Sequence, residues 1–210
     1  MAPPKKAAPA PMQIELPALD IRTMQLVLIG DSPLICHAWS AKAKKAMLDK
    51  QMKRAKQARE AKNPEDDVVG SLYPHPEGDY GFPCAAFKSA AVDACSHIEG
   101  VTKVLARGAF HVVGELARID GKPTPREDMV RVGMGTADIR FRGEFKQWRA
   151  ALTVRYNGGV LSAEQIVNLF NVAGFAIGVG EWRPQRNGSC GLFHVAEEEA
   201  GEKPKRRGRA

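Results

Sequence analysis

Residues 148–174 constrain the fold more than any other part of the chain. Residues 148–156, WRAALTVRY, alternate apolar and polar side chains, the pattern of a strand with one buried face. Asn157, Gly158 and Gly159 then make a turn. Ser162 with Gln165 three residues on is a capping box, in which each side chain satisfies a backbone N–H at the helix start. The helix expected over 163–173 gathers Ile166, Leu169, Phe170 and Ala173 on one face, and Gly174 is expected to end it. A half-buried strand joined to a helix with one apolar face requires a layered fold.

Upstream, residues 24–29 (MQLVLI) are a short apolar run closed by Gly30, Asp31, Ser32 and Pro33. They read as a first buried strand and a turn. Residues 41–62 are the strongest helical signal, built from Ala, Lys, Gln, Met and Arg without Gly or Pro. Asn63-Pro64 is expected to stop that helix. Its apolar stripe of Leu48, Met52 and Ala55 is thin, so it packs weakly and projects. Residues 64–81 are polar and read as a loop. Pro83 suits the first position of a second helix running to about residue 98. Phe87, Ala91, Ala94, Cys95 and Ile98 form its core face, and Gly100 its stop. Lys88 points elsewhere, toward solvent or a ligand.

Residues 101–119 read as two strand-like runs, with a turn at Asp120-Gly121. Residues 123–145 carry Arg126, Arg131, Arg140 and Arg142 and read as an extended hairpin or finger. Strands interleaved with two core helices give the expected class: α+β, a ferredoxin-like sheet with helices on one face and an inserted basic helix. The expected organisation is a disordered arm over 1–17, one domain over 18–196 with insertions near 39–81 and 120–147, and a charged disordered tail over 197–210.

Charge is unevenly spread. Between residues 39 and 62 stand Lys42, Lys44, Lys45, Lys50, Lys53, Arg54, Lys56, Arg59 and Lys62 against Asp49 and Glu60. That surplus of seven equals the net charge of the whole protein, +7. Such a block suits an acidic partner such as nucleic acid; the rival reading is a solvated helix ordered against a neighbouring subunit. Cys36, Cys84, Cys95 and Cys190 form no C-x-x-C pair, so zinc and thioredoxin-like chemistry have no support, and a reducing cytoplasm is the expected setting. The five histidines lack metal-ligand spacing, and phosphate-loop, dinucleotide and nucleophile-elbow motifs are missing. No cofactor, metal or membrane partner is expected.

Residues 174–195 read GFAIGVGEWRPQRNGSCGLFHV. Glycines permit positive φ and close approach of a ligand, while Trp182, Arg183 and Arg186 suit stacking and phosphate contact. The alternative is an ordinary glycine-rich hairpin whose Trp182 caps the core. The chain is expected to leave as a strand over 190–195. Asp31, after the first strand, suits either general acid/base work or a turn cap made with Ser32.

Three patches resemble the RAMP (repeat-associated mysterious protein) superfamily, the ferredoxin-like fold of backbone subunits in CRISPR effector complexes. Residues 80–94, YGFPCAAFKSAAVDA, are similar to that family's IPGSSLKGALR helix start. Phe82-Pro83 stands for Ile-Pro, Cys84-Ala85-Ala86 for Gly-Ser-Ser, and Phe87-Lys88-Ser89-Ala90 for Leu-Lys-Gly-Ala. Residues 119–138 are similar to its thumb region, and residues 174–195 to its glycine-rich loop before a last strand. The chain departs from the pattern in lacking Gly-Ser-Ser and in carrying Trp182-Arg183-Pro184 in the loop. It also resembles uncharacterised proteins encoded by phages and prophages.

The resemblance implies RNA or single-stranded DNA bound along the sheet and subunits stacked head to tail. Its contacts would come from Lys88, Arg183, Arg186, Asn187 and Ser189, with unspecific phosphate contacts from the basic helix. Cleaving backbone subunits place an acidic residue after the first strand; Asp31 lies near that region, and catalysis is not carried over to it. The expected function is non-catalytic single-stranded nucleic-acid binding by a homo-oligomer. The alternatives are a phage assembly or protein-interaction component and, third, an endoribonuclease using Asp31.

Overall fold

The computed structural model describes residues 18–54, 61–133 and 135–197. The arm over 1–17, nearly all of the charged tail, and Lys56 and Arg59 lie outside the described residues. Strand β1 (Ile21–Gly30) is followed by β2 (Leu34–Ile35), helices α1 (Ala41–Gln51) and α2 (Pro64–Ser71), the hairpin β3 (Tyr73–His75) and β4 (Gly78–Pro83), and helix α3 (Cys84–Ala94). Helix α4 (Lys103–Ala109) leads into β5 (Phe110–Val112) and β6 (Leu116–Asp120). Strands β7 (Pro123–Val132) and β8 (Thr136–Phe145) precede β9 (Arg149–Asn157), helix α5 (Ala163–Val172) and β10 (Phe193–Val195).

This is a mixed α+β protein. The main sheet runs β10-β1-β9-β6-β4-β3, with β5 also paired to β9, and a second sheet runs β2-β8-β7. Every pairing is antiparallel. The alternation of β9 buries Ala150, Leu152, Val154 and Tyr156 and turns Arg149 and Arg155 to solvent. The register Leu26↔Leu152 and Leu28↔Ala150 puts the apolar residues of β1 on the same face, which a one-residue slip would reverse. Helices α3 and α5 cover that face through Phe87, Ile166 and Phe170, all fully buried. Phe110 meets Phe170 and Phe87 meets Phe193 edge-on, with centroids 6.0 Å apart. Each such ring contributes about 2–3 kcal/mol by leaving water. The other face of β1 and β9 stays open, with Thr23, Gln25, Val27 and Arg155 exposed.

The capping box forms as expected: Ser162 Oγ accepts from the Gln165 N–H and Gln165 Oε1 from the Ser162 N–H. The expected finger over 123–145 is the β7–β8 hairpin, paired from Pro123↔Phe145 to Val132↔Thr136.

Other expectations need correction. Helix α1 ends at Gln51, and Lys53 turns out of it at φ +53°. Asn63-Pro64 is a start, since Asn63 accepts from the Glu65 N–H at 3.1 Å and Pro64 opens α2. Glu65, Asp66 and Asp67 then face the positive end of its dipole. The expected loop over 64–81 is therefore a helix and a hairpin. The first strand-like run after Gly100 is instead α4, capped where Thr102 accepts from the Leu105 N–H. Gly174 does not end α5. The chain continues through a wider turn, Ala173–Ile177, and stops at Gly178 with φ +68°. Gly174 is a packing position, where a Cβ would stand 1.7 Å from the Phe193 carbonyl oxygen. The exit strand is only the three residues of β10. Among the described residues no helix is long and apolar enough to cross a membrane.

Candidate functional site

A cleft of about 230 Å³ opens between α3 and residues 177–185. Pro83, Ala86, Ser89, Ala90 and Asp93 form its helical wall. The sequence puts a proline at the helix entry and small residues on this side of α3, so the loop approaches closely. The helix start carries no side-chain cap; its first N–H, that of Cys84, donates to the Glu115 carbonyl at 2.9 Å. Across the cleft lie Gly178, Val179, Gly180, Glu181, Arg183 and Gln185.

The facing loop is held from three sides. The Glu181 N–H donates to Ile35 and the Gly191 N–H to Pro33, tying it to the segment around β2. The Gln185 side chain donates to Asp93 on α3 at 2.9 Å. Arg183 donates to the Gly180 carbonyl at 2.9 Å and to Gln185 at 3.2 Å. The glycines serve this packing: the Cβ positions of Gly180, Gly188 and Gly191 are filled by the backbone of Ile35, Trp182 and Val179. Of the two expectations for these glycines, ligand approach and ordinary turn packing, the second describes these three: protein atoms occupy the space.

At one end of the cleft His37 Nδ1 and Glu181 Oε1 are hydrogen-bonded at 2.8 Å, and the Tyr73 hydroxyl donates to the His37 carbonyl at 3.3 Å. Burial raises the Tyr73 hydroxyl above its ordinary range. At the other end Asp93 accepts from Lys103 at 2.8 Å. That bond holds its carboxyl below the usual range against the opposing effect of burial. Neither His37 nor Glu181 nor Asp93 stood out in the sequence. The lone histidine and carboxylates sit in no motif, and only the turn after β2 brings His37 to the loop.

The expected site residues divide among separate places. Arg183 lines the cleft, while Arg186, Asn187 and Ser189 are exposed on the loop beside it. Asn187 supplies a left-handed cap at φ +60°. Lys88 is not on the cleft; it folds toward α4 and β5, donating to the Arg107 carbonyl at 3.2 Å with Nζ 3.0 Å from His111 Nδ1. Trp182, at φ +55° and 41% exposed, turns to the hairpin, and its indole N–H donates to Asp128 at 3.4 Å. It therefore neither caps the core nor stands free. Asp128 belongs to a buried ion network in which Arg126 meets Asp128 and Glu144 at 2.9 and 2.6 Å, and Arg142 meets Asp128 at 3.2 Å.

Lys44, Lys45, Lys50, Lys53 and Arg54 lie on or just beyond α1 with Lys42, and α1 buries no residue. Arg54 pairs with Asp49 at 2.9 Å. The cap residue of α1, Ser40, follows His37 by three positions, so the basic helix springs from the rim of the cleft. Lys62 is bound to the hairpin, donating to Asp138 and to the Ile139 carbonyl. Asp31 lies elsewhere, hydrogen-bonded to His194 Nδ1 at 2.7 Å in a second depression beside Phe175. Its expected partner, Ser32, instead accepts from the Leu192 N–H at 2.9 Å. Among the described residues no three His, Cys, Asp or Glu side chains group as metal ligands do.

Fold and site thus define an α+β protein with an antiparallel sheet, a helix-to-loop cleft and a basic helix rooted at its edge. No protein family and no curated protein matches the chain. Among solved structures it is similar to the crystal structure of Cmr6 from Pyrococcus furiosus, at 12% identity and a TM-score of 0.44 over 85% of this chain and 100% of that one.

Proposed function

We propose that this chain is a non-catalytic, single-stranded nucleic-acid-binding protein of ferredoxin-like, RAMP-type architecture that assembles along RNA or single-stranded DNA. The observation that carries the reading is the cleft itself. The two sequence patches that resemble the RAMP helix start and glycine-rich loop lie far apart in sequence and face each other across it. The strand order supports the ferredoxin-like part. Taken without the hairpins, β1, α3, β6, β9, α5 and β10 give a sheet ordered β10-β1-β9-β6, the split βαβ arrangement of that fold. Phosphate contacts come from α1, Arg183 and Arg186, and affinity falls steeply with salt. The test is binding of labelled single-stranded RNA and DNA at low and moderate salt, with particle sizing; no binding at low salt overturns the reading.

One observation favours a second reading. Met47 and Leu48 on α1, Met52 just after it and Trp39 before it are exposed large apolar residues, which suits a helix docked on an acidic protein or a neighbouring subunit. A homo-oligomer that forms without nucleic acid and ignores it when added supports this alternative.

A further inference from the structure

The cleft divides its chemistry in a way that phosphate binding does not use. Its floor is apolar, formed by the buried Phe82, Ala90, Ile177 and Val179. Its two ends carry carboxylates, Glu181 and Asp93, which repel an anion, while the Arg183 guanidinium in its lining is turned onto the Gly180 carbonyl and Gln185. A flat, uncharged group with N–H donors on its edge suits both features. The free arginine Arg186, which makes no ion pair among the described residues, stands outside on the loop, where the sugar–phosphate chain would pass.

The two carboxylates are not equivalent. Both oxygens of Asp93 are engaged, one by Lys103 and one by Gln185. Glu181 spends one oxygen on His37, and the other has no partner among the described residues. Glu181 is therefore the acceptor; the tether from its N–H to Ile35 fixes its backbone and the bond to His37 its carboxylate. A carboxylate accepts from an exocyclic amino group and repels a ring edge of carbonyl oxygens.

We propose that the cleft is a nucleobase pocket in which Glu181 selects bases bearing an exocyclic amino group over uracil or thymine. This rests on the single-strand-binding reading and adds the specificity of its site. The strand is held by unspecific cationic contacts outside, while one base enters and is read at its edge.

The test is fluorescence anisotropy with labelled oligo-C, oligo-A and oligo-U of equal length at one moderate salt concentration. The expected result is about tenfold tighter binding of oligo-C and oligo-A than of oligo-U, the discrimination of one good base-edge contact. Glu181→Gln should bring the ratio to near one. Ala86→Met, which fills the cleft and leaves Glu181 and its partners in place, should do the same. Its thermal melt guards against a loop that has merely loosened. Lys44→Gln with Lys45→Gln should weaken all three strands and leave the ratio intact. Equal binding of the three by the unaltered protein, or a ratio that survives both cleft variants, overturns the pocket and leaves the binding function standing. No binding of any strand at low salt overturns both.

Discussion

A Cβ added to Gly191 would stand 1.7 Å from the Val179 carbonyl oxygen, on a backbone already at φ +69°. Gly100 has a similar φ of +85° and nothing within 4 Å of its Cβ position. The pair separates backbone strain from collision. Gly100→Ala should cost about 1 kcal/mol, and Gly191→Ala about 2–4 kcal/mol with loosening of the cleft wall, both read from denaturant midpoints. The sequence displayed these glycines, but not the atoms that fill their missing side chains, so it left Gly191 between ligand approach and an ordinary turn and marked Gly100 as a helix stop. A second prediction concerns Cys36, whose thiol is pushed up to about 12 by burial. It stays neutral in the folded state, while the unfolded thiol ionises near pH 9. Its contribution is complete below pH 9 and is lost as pH rises from there toward 12. Between pH 8 and 10.5 the native protein should lose about 2 kcal/mol more than Cys36→Val, since each unit above 9 is worth about 1.4 kcal/mol. Equal losses in the two proteins would show that the thiol ionises freely.

The β7–β8 hairpin joins the loop through charge. Asp128 is 9% exposed and accepts from Arg126, Arg142 and the Trp182 indole. Burial pulls the Arg126 guanidinium downward, but its bonds to Asp128 and Glu144 prevail and hold it above its ordinary value. Asp128→Ala leaves Arg126 with Glu144 alone and takes from the buried Arg142 guanidinium the carboxylate it meets, and should cost about 3–5 kcal/mol in chemical denaturation. The same variant should increase the exposure of Trp182 to a fluorescence quencher, a change that simple hairpin destabilisation far from the loop would not make. Elements with one clear signal were legible from sequence: β9 through its alternation and α5 through its capping box and apolar face, while the finger was read from its composition after the Asp120-Gly121 turn, without a firm period. Elements with two-sided signals were not. Asn63-Pro64 ends one helix or begins another, and the acids that follow decide for a beginning. The run after Gly100 is short and apolar, where period alone does not separate strand from helix, and the Thr102 cap decides. Gly174 resembled a stop because its contact with Phe193 comes from a strand 19 positions later.

At the scale of the molecule, fold and charge are carried by different parts of the chain. The core is formed by the sheet and by α3 and α5, while the cationic surplus sits in and around a helix that buries none of its residues. The cleft was half legible: the helix start and the glycine loop were both visible, whereas their approach depends on strand pairings between residues more than 100 positions apart. Separation of charge from core has a direct consequence. Lys44, Lys45 and Lys50 are exposed on α1, so replacing all three with Gln should leave the thermal melt where it is, because surface changes away from packed features stay within about 0.5 kcal/mol. If α1 lies on a single strand, each lost phosphate contact removes about 0.7 from the slope of log affinity against log salt, so the triple variant should flatten that slope by about 2. If α1 instead docks on protein, the slope for nucleic acid stays unchanged and the particle size shifts. A salt titration with sizing on the same samples therefore assigns the helix to one partner or the other, independently of what the cleft selects.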